Sequence, residues 1–167
     1  MKKNIIISTL IIAFLGITYA LYAFLMQIGV DEGYEPIQPI HFSHKIHAGD
    51  NQIDCKYCHS GARTSAVAGV PSLNVCMGCH NTISEYEGEE DLANGYTKEF
   101  YTKEIKKLYE AVGWDEQKFR YTGTAKPVQW IRIHKLPDFT YFNHSQHVAV
   151  GGLECQKCHG EVQQMEV

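Results

Sequence analysis

One long apolar stretch opens the chain and differs from everything after it. No charged residue occurs from position 4 to position 30, and nearly every position from 5 to 26 is apolar. A run of this length can cross the hydrocarbon core of a membrane as a helix. Lysines at positions 2 and 3, with acidic residues at 31, 32 and 35, orient the N-terminus towards the cytoplasm. We therefore predict a transmembrane anchor at 1–30.

A cleaved signal peptide is the alternative, because it has the same charge polarity. The apolar core of a signal peptide is shorter, roughly 7–15 residues, and ends at small residues. Here the run is longer, and the small residues Ala20 and Ala23 are followed by further apolar positions. We favour an uncleaved, single-pass anchor in the inner (cytoplasmic) membrane, with the rest of the chain on the periplasmic side.

Beyond the anchor, the pattern predicts a mainly α-helical fold with extensive loops. Residues 31–40 are a predicted linker, in which Pro36 and Pro39 keep the chain extended. Five acidic residues among the seven from 85 to 91 predict a solvated loop. The 128–133 segment alternates enough to be a short strand or an extended segment.

The clearest helical pattern lies between residues 97 and 112. Glu99 and Lys103 are a predicted ion pair on this helix, and Gly113 is its predicted C-cap. The apolar residues that recur at helical spacing are Tyr101, Ile105, Leu108 and Val112.

Composition and charge narrow the class of protein. The 167 residues carry a net charge of −4 and an isoelectric point near 6.1, which argues against a nucleic-acid partner. Six cysteines in an exported chain could form a disulfide framework. All six, however, belong to Cys-x-x-Cys-His motifs, which occupy 55–59, 76–80 and 155–159.

This motif is the attachment signature of c-type haem. The two thiols form thioether bonds to the porphyrin, and the histidine lies under the iron. Zinc sites also use Cys-x-x-Cys pairs but do not require a histidine after each pair. A thioredoxin-type dithiol needs a βαβ context, and none is evident in the sequence. We expect three covalent haems c, attached through Cys55 and Cys58, Cys76 and Cys79, and Cys155 and Cys158, with His59, His80 and His159 as ligands.

Two segments repeat with an offset of one hundred residues. Each reads Phe-x-His-x-x-His, then seven residues, then Cys-x-x-Cys-His, and they span 42–59 and 142–159. Repetition of a whole ligand set at fixed spacing indicates a duplicated structural unit. The middle motif, at 76–80, lacks a preceding His-x-x-His pair, so its second ligand must come from elsewhere in the fold.

The remaining histidines decide whether the irons are open or saturated. An iron with one protein ligand can bind a substrate, whereas an iron with two histidines is suited to electron transfer. We hypothesise that His44 binds the haem on His59. By the repeat, His144 binds the haem on His159.

The second histidine of each pair points to further haems. Three positions apart on a helical turn, two rings project from nearly the same face. His47 and His147 are therefore expected to reach across to other haems, and His134 is a fifth candidate distal ligand. For His41 we favour a surface or capping role.

At this point a family resemblance is visible. The His-x-x-His pairs before Cys-x-x-Cys-His are similar to those of the class III, cytochrome c3/c7-like multihaem fold. A more specific phrase runs from Trp130 to Asp138 and on through Tyr141 to His144. With the anchor and the 69–72 segment, the chain resembles the multihaem cytochrome c subunit of alternative complex III over roughly 1–167. The resemblance implies that 41–167 form one multihaem domain wrapped around its haems.

The resemblance also implies a function. In that family the complex oxidises membrane quinol, so iron–sulfur and polytopic membrane subunits are the expected partners. Electrons would pass from iron–sulfur clusters to a monohaem cytochrome c or a terminal oxidase, and the subunit would have no catalytic site of its own. Two alternatives stay open: a free-standing anchored cytochrome that feeds periplasmic reductases, and a multihaem oxyanion reductase with a five-coordinate haem.

The histidine count raises the expected number of haems. Subunits of that family typically carry five haems, whereas this chain has three motifs. Its five candidate distal ligands, His44, His47, His134, His144 and His147, are two more than three haems need. We therefore expect this chain to be the N-terminal portion of a longer protein with two further motifs downstream.

Overall fold

A computed structural model describes residues 2–26, 33–133, 136–137 and 139–166. The chain divides into two units, Met1–Tyr34 and Glu35–Val167. The first unit contains helix α1 (Lys2–Met26), in which no side chain is buried. Its length and apolar composition suffice to cross a membrane, a test that an N-terminal signal sequence also passes. The candidate ligand His134 lies outside the described residues.

The second unit consists mainly of short helices and long irregular segments, which confirms the predicted mainly α fold with extensive loops. Its α-helices are α2 (Cys55–Cys58), α3 (Leu73–His80), α4 (Lys98–Val112) and α5 (Gln156–His159). Shorter turns are π-helical at Lys45–Asp50 and Gln146–Val150, and 3₁₀ at Ser60–Arg63 and Val162–Gln164. Two short strands, β1 (Trp114–Asp115) and β2 (Arg120–Tyr121), pair antiparallel.

Helix α4 lies where the apolar spacing predicted it. The Oγ1 atom of Thr97 accepts a hydrogen bond from the Phe100 amide at 3.1 Å and so caps the first turn. Gly113 ends the helix in the left-handed conformation, at φ 66°, which costs a glycine little. The predicted helix and its C-cap are therefore confirmed.

The charged side chains of α4 pair differently from the prediction. Glu104 is only 6% exposed, and its carboxylate accepts from Lys107 Nζ at 2.6 Å and from the His41 amide at 2.9 Å. The predicted pair of Glu99 and Lys103 is not among the ion pairs of the described residues. An exposed pair four residues apart contributes only about 0.3–0.5 kcal/mol, whereas a buried carboxylate requires partners.

The apolar core of the second unit is small and lies next to the second attachment motif. Leu108, Tyr109 and Val112 of α4 pack with Met77 of α3. Met77 is one of the two residues between the cysteines of that motif. The longest helix of the second unit therefore holds the second motif in place.

The 128–133 segment forms no strand and pairs with none of the described strands. Gln38 bonds both backbone groups of Ile131: the Ile131 amide donates to Oε1 at 2.9 Å, and Gln38 Nε2 donates to the carbonyl at 3.0 Å. One side chain near the start of the second unit thus takes the place of a neighbouring strand. The acidic 85–91 segment is largely exposed, as predicted for a solvated loop.

Candidate haem-binding sites

The first attachment motif occupies a single helical turn, α2. Asp54 caps this turn, since its side chain accepts a hydrogen bond from the Lys56 amide at 2.7 Å. Cys55 and Cys58 are three positions apart and share one face of the turn. His59 follows directly, so two thiols and an imidazole are available to one planar group.

The other two motifs are also helical. The second ends α3, where the Tyr109 hydroxyl of α4 donates a hydrogen bond to the His80 carbonyl. The third begins at Cys155 and continues through α5, which Gly160 ends at φ 71°. None of the six cysteines of the three motifs forms a disulfide bond. In the described part of the chain, no three His, Cys, Asp or Glu side chains are grouped to hold a metal ion, as a zinc site requires.

Two histidine pairs face each other within the duplicated units. His44 faces His59 with ring centres 6.4 Å apart and an angle of 12° between the ring planes. His144 faces His159 at 6.3 Å and 7°. These are the two combinations predicted from the sequence, and their geometry is almost identical in the two repeats.

The second motif obtains its facing ring from the first repeat. His47 lies opposite His80 with ring centres 6.1 Å apart and 50° between the planes. The sequence predicted only that His47 reaches across to another site. The structure places the second motif, which has no His-x-x-His pair of its own, opposite His47.

Backbone carbonyls orient four of these rings. A carbonyl oxygen can only accept, so the Nδ1 atom that contacts it carries the proton, and Nε2 keeps a lone pair for a metal. Metal-binding histidines usually donate their second nitrogen in this way. The bonds run from His47 to Ser43 at 2.8 Å, His59 to Gly69 at 2.7 Å, His80 to Ile83 at 3.0 Å and His144 to Ala66 at 2.8 Å.

The ring separations match a metal held between two imidazoles. A metal–nitrogen bond of about 2 Å, plus about 1 Å from the nitrogen to the ring centre, gives about 6 Å between ring centres when both sides are counted. Burial, the largest influence, lowers the pKa of His44 and His47 and favours the neutral ring that binds a metal. The arrangement fits two axial ligands on one haem iron.

Comparison with known proteins now decides the family. The class III cytochrome c family matches residues 26–111, slightly more than half of the chain. The chain belongs to the class III cytochrome c family. Membership implies covalent haem c, and the donor set of this chain fits that group.

The chain is also similar to the menaquinone reductase, multiheme cytochrome c subunit, of Nitratidesulfovibrio vulgaris. The two are 30% identical over 122 residues, which is 73% of this chain and 45% of that subunit. The chain therefore spans less than half the length of this curated relative.

The duplicated units of this class III cytochrome also agree in their supporting contacts. Phe42 stacks on His47 at 4.3 Å and 24°, and Phe142 stacks on His147 at 4.5 Å and 22°. The Nδ1 atoms of His47 and His147 each donate to the carbonyl four residues earlier, at 2.8 Å. The phenylalanine that recurs at positions 42 and 142 is the sequence signal from which this stacking on the histidine rings could have been predicted.

His147 differs from His47 in what lies opposite. Its ring is oriented in the same way, but no histidine ring faces it within the described residues. His147 is also more exposed than His47. The ring of His147 is therefore oriented like that of His47 but, among the described residues, faces none of the three attachment histidines.

His41 is placed differently from the surface or capping role predicted for it. Its side chain is 12% exposed and lies among the rings of Tyr96, Phe100 and Tyr101, with centres 5.1–5.9 Å away. No attachment histidine of the class III motifs faces it in the described structure. These aromatic residues come from 96–101, far along the chain, which is why local sequence gave no sign of the burial.

The first class III attachment motif lies near each of the other two. The Cys155 thiol is within hydrogen-bonding reach of Cys55. Cys58 interacts electrostatically with Cys79 and Cys76 of the second motif. Desolvation raises the pKa of Cys58, Cys76 and Cys155.

Proposed function

We propose that this chain is a membrane-anchored multihaem cytochrome c that transfers electrons within a quinol-oxidising respiratory complex. The three facing histidine pairs carry the proposal, because every attachment histidine has a second imidazole opposite it. Haem c supplies a one-electron iron couple when bound. Three such groups are attached, through the cysteine pairs of 55–58, 76–79 and 155–158.

Saturated axial positions favour electron transfer over catalysis. With histidine on both sides, no coordination position is left for a substrate. A multihaem oxyanion reductase would need one iron with a single protein ligand, and the three pairs argue against it. The chain accordingly has no catalytic site of its own and acts by holding haems close to one another.

The ring of His147, which no described histidine faces, supports a haem count above three. Its Phe142 stacking and its Nδ1 bond to the Asn143 carbonyl reproduce those of His47, which has an attachment histidine opposite. By the logic of the repeat, a further attachment motif provides that histidine. His134 is the proposed distal ligand of a fifth haem.

Two observations support the proposal that the chain is part of a membrane complex. Helix α1 is long and apolar enough to cross a membrane. In the proposal it anchors the chain in the inner membrane, with the haem domain on the periplasmic side. The similar N. vulgaris protein is named a subunit of a menaquinone reductase. Iron–sulfur and polytopic membrane subunits are the proposed partners, and a monohaem cytochrome c or a terminal oxidase is the proposed acceptor in alternative complex III.

The name of that relative favours a second direction of electron flow. A menaquinone reductase delivers electrons to the quinone, whereas alternative complex III takes them from the quinol. If added menaquinol reduces the haems, the result would favour a quinol-oxidising complex. If added menaquinone oxidises the haems, the result would favour a quinone-reducing complex. A free-standing cytochrome that feeds periplasmic reductases would purify without iron–sulfur or polytopic subunits.

The ligand set is tested by replacing one distal histidine. In the holoprotein, His47→Met should give one haem a methionine–iron absorption band and a higher reduction potential, because methionine ligation raises the potential. The matched control is His41→Met, which changes a histidine that faces no attachment motif in the described structure. An unchanged spectrum in His47→Met, or the same change in both variants, would contradict the assignment.

A further inference from the structure

One short loop, residues 65–69, supplies hydrogen-bond acceptors to ligands of two different haem sites. The Ala66 carbonyl accepts from His144 Nδ1 at 2.8 Å and from the His144 amide at 3.2 Å. The Gly69 carbonyl accepts from His59 Nδ1 at 2.7 Å. His144 is the distal ring of the third site, and His59 is the attachment ring of the first.

We infer that the 65–69 loop couples the axial ligation of these two haems, so that its position sets both reduction potentials together. The inference rests on the proposed function, because it requires haems between the facing rings. A partner that accepts the Nδ1 proton fixes the ring plane and raises the basicity of Nε2. Moving the loop therefore changes a ligand of the haem on His59 and a ligand of the haem on His159 at once.

Gly61 lets the loop lie close enough to make these bonds. A Cβ atom at this position would lie 2.6 Å from the Val67 carbonyl oxygen and 2.7 Å from that of Ala68. Both atoms belong to the backbone of the loop, so they cannot rotate away. The Ser65 amide also donates to the Gly61 carbonyl at 2.8 Å, which joins the loop to this residue. Gly61 is thus a positioning residue for ligands that it does not itself contact.

The second haem site provides an internal control. His80 donates to the Ile83 carbonyl at 3.0 Å, and His47 donates to the Ser43 carbonyl at 2.8 Å. Neither acceptor belongs to the 65–69 loop. The ring planes of this pair are 50° apart, against 12° and 7° in the other two pairs. Since the angle between the imidazole planes controls the rhombicity of a low-spin haem, electron paramagnetic resonance can separate this haem from the other two.

The test is a redox titration of Gly61→Ala holoprotein, followed by electron paramagnetic resonance. Weaker Nδ1 bonds lower ligand basicity and stabilise the oxidised iron less, so both potentials should rise. We expect about a three- to tenfold larger reduced-to-oxidised ratio for both near-parallel haems at a fixed potential, where tenfold is about 59 mV for one electron. The haem on His80 should not move. Gly16→Ala, where a Cβ meets no atom within 4 Å, is the matched control.

A second variant covers the case in which Gly61→Ala does not mature. Gly69→Ala adds a Cβ with no atom within 4 Å, but at φ 77° it strains the backbone beside the acceptor carbonyl. It should shift the same two haems, and the haem on His59 more strongly. A shift of one haem alone, of all three equally, or of none would overturn the inference. Failure of the wild-type protein to show six-coordinate low-spin haems would instead overturn the proposed function.

Discussion

His41 shows how a single buried residue can make this domain sensitive to acid. Its Nε2 atom is buried, has no hydrogen-bond partner in the described structure, and lies 4.0 Å from Glu166 Oε2. Burial lowers the pKa of His41, the carboxylates of Glu166 and Glu104 oppose that effect, and Lys107 adds to it. The folded state therefore resists a proton that the unfolded chain accepts.

The consequence for stability follows from proton linkage. Because the folded-state pKa lies below the ordinary 6.5, the contribution of His41 is complete above about pH 6.5 and is lost as the pH falls below it. We predict that His41→Phe reduces the loss of unfolding free energy between about pH 6.5 and 5. Urea unfolding, followed by circular dichroism at several pH values, measures this loss in the wild type and in His41→Phe. An equal change of unfolding free energy with pH in the two proteins would contradict the prediction.

For single residues, the sequence predicted which side chains attach haem better than it predicted what surrounds each side chain. Cys-x-x-Cys-His is a covalent pattern within five residues, so His59, His80 and His159 could be named from spacing alone. The burial of His41 depends on rings more than fifty positions away, which no local pattern reports. The carbonyls of Ala66 and Gly69 were equally invisible, because every residue has a carbonyl and only the fold selects two of them.

Among the elements, α4 and α3 form the support of the second haem site. The Tyr109 hydroxyl donates to the His80 carbonyl and, at 3.4 Å, to the Ile83 carbonyl. The Ile83 carbonyl also accepts the Nδ1 proton of His80. One phenol therefore holds both the backbone of the attachment histidine and the acceptor that orients its ring.

Removing this phenol should affect one haem only. We predict that Tyr109→Phe lowers the free energy of unfolding by about 1 kcal/mol and shifts the potential of the haem on His80. The haems on His59 and His159 should keep theirs. Tyr101→Phe is the matched control, because that hydroxyl bonds Glu166 and no ligand carbonyl. Potentiometry and thermal unfolding of both variants measure the effects, and a shift of all three haems would show that α4 does not act locally.

The long helix could be predicted from the sequence, whereas the short ones could not. Fifteen residues of α4 give the apolar spacing room to repeat, and Thr97 and Gly113 mark its ends. Helices α2 and α5 have four residues each, too few for any periodicity. The pairing of His47 with His80 depends on how α3 packs beside the first repeat, so sequence spacing left its partner open.

For the whole molecule, the thiol contacts suggest an order for electron flow. Cys55 is near the third motif and Cys58 is near the second, so the first motif adjoins both of the others. Haems attached to these cysteines would form a row with the haem on His59 in the centre. An electron that crosses this domain from one outer haem to the other would then pass through the central one.

This order predicts that the same substitution has different effects at different places. Methionine in place of a distal histidine raises the potential of that haem. In His44→Met the central haem should retain the electron. The equilibrium constant for electron transfer out of that haem falls about tenfold for each 59 mV by which its potential rises. In His144→Met the haem with the raised potential is at one end, so electron transfer between the other two haems should keep its rate.

Rapid reduction of the holoproteins, followed by optical and electron paramagnetic resonance spectroscopy, compares the two variants. Slower transfer between the haems on His80 and His159 in His44→Met, together with unchanged transfer between the haems on His80 and His59 in His144→Met, would support the order. Equal rates in His44→Met and the wild type would place another haem at the centre.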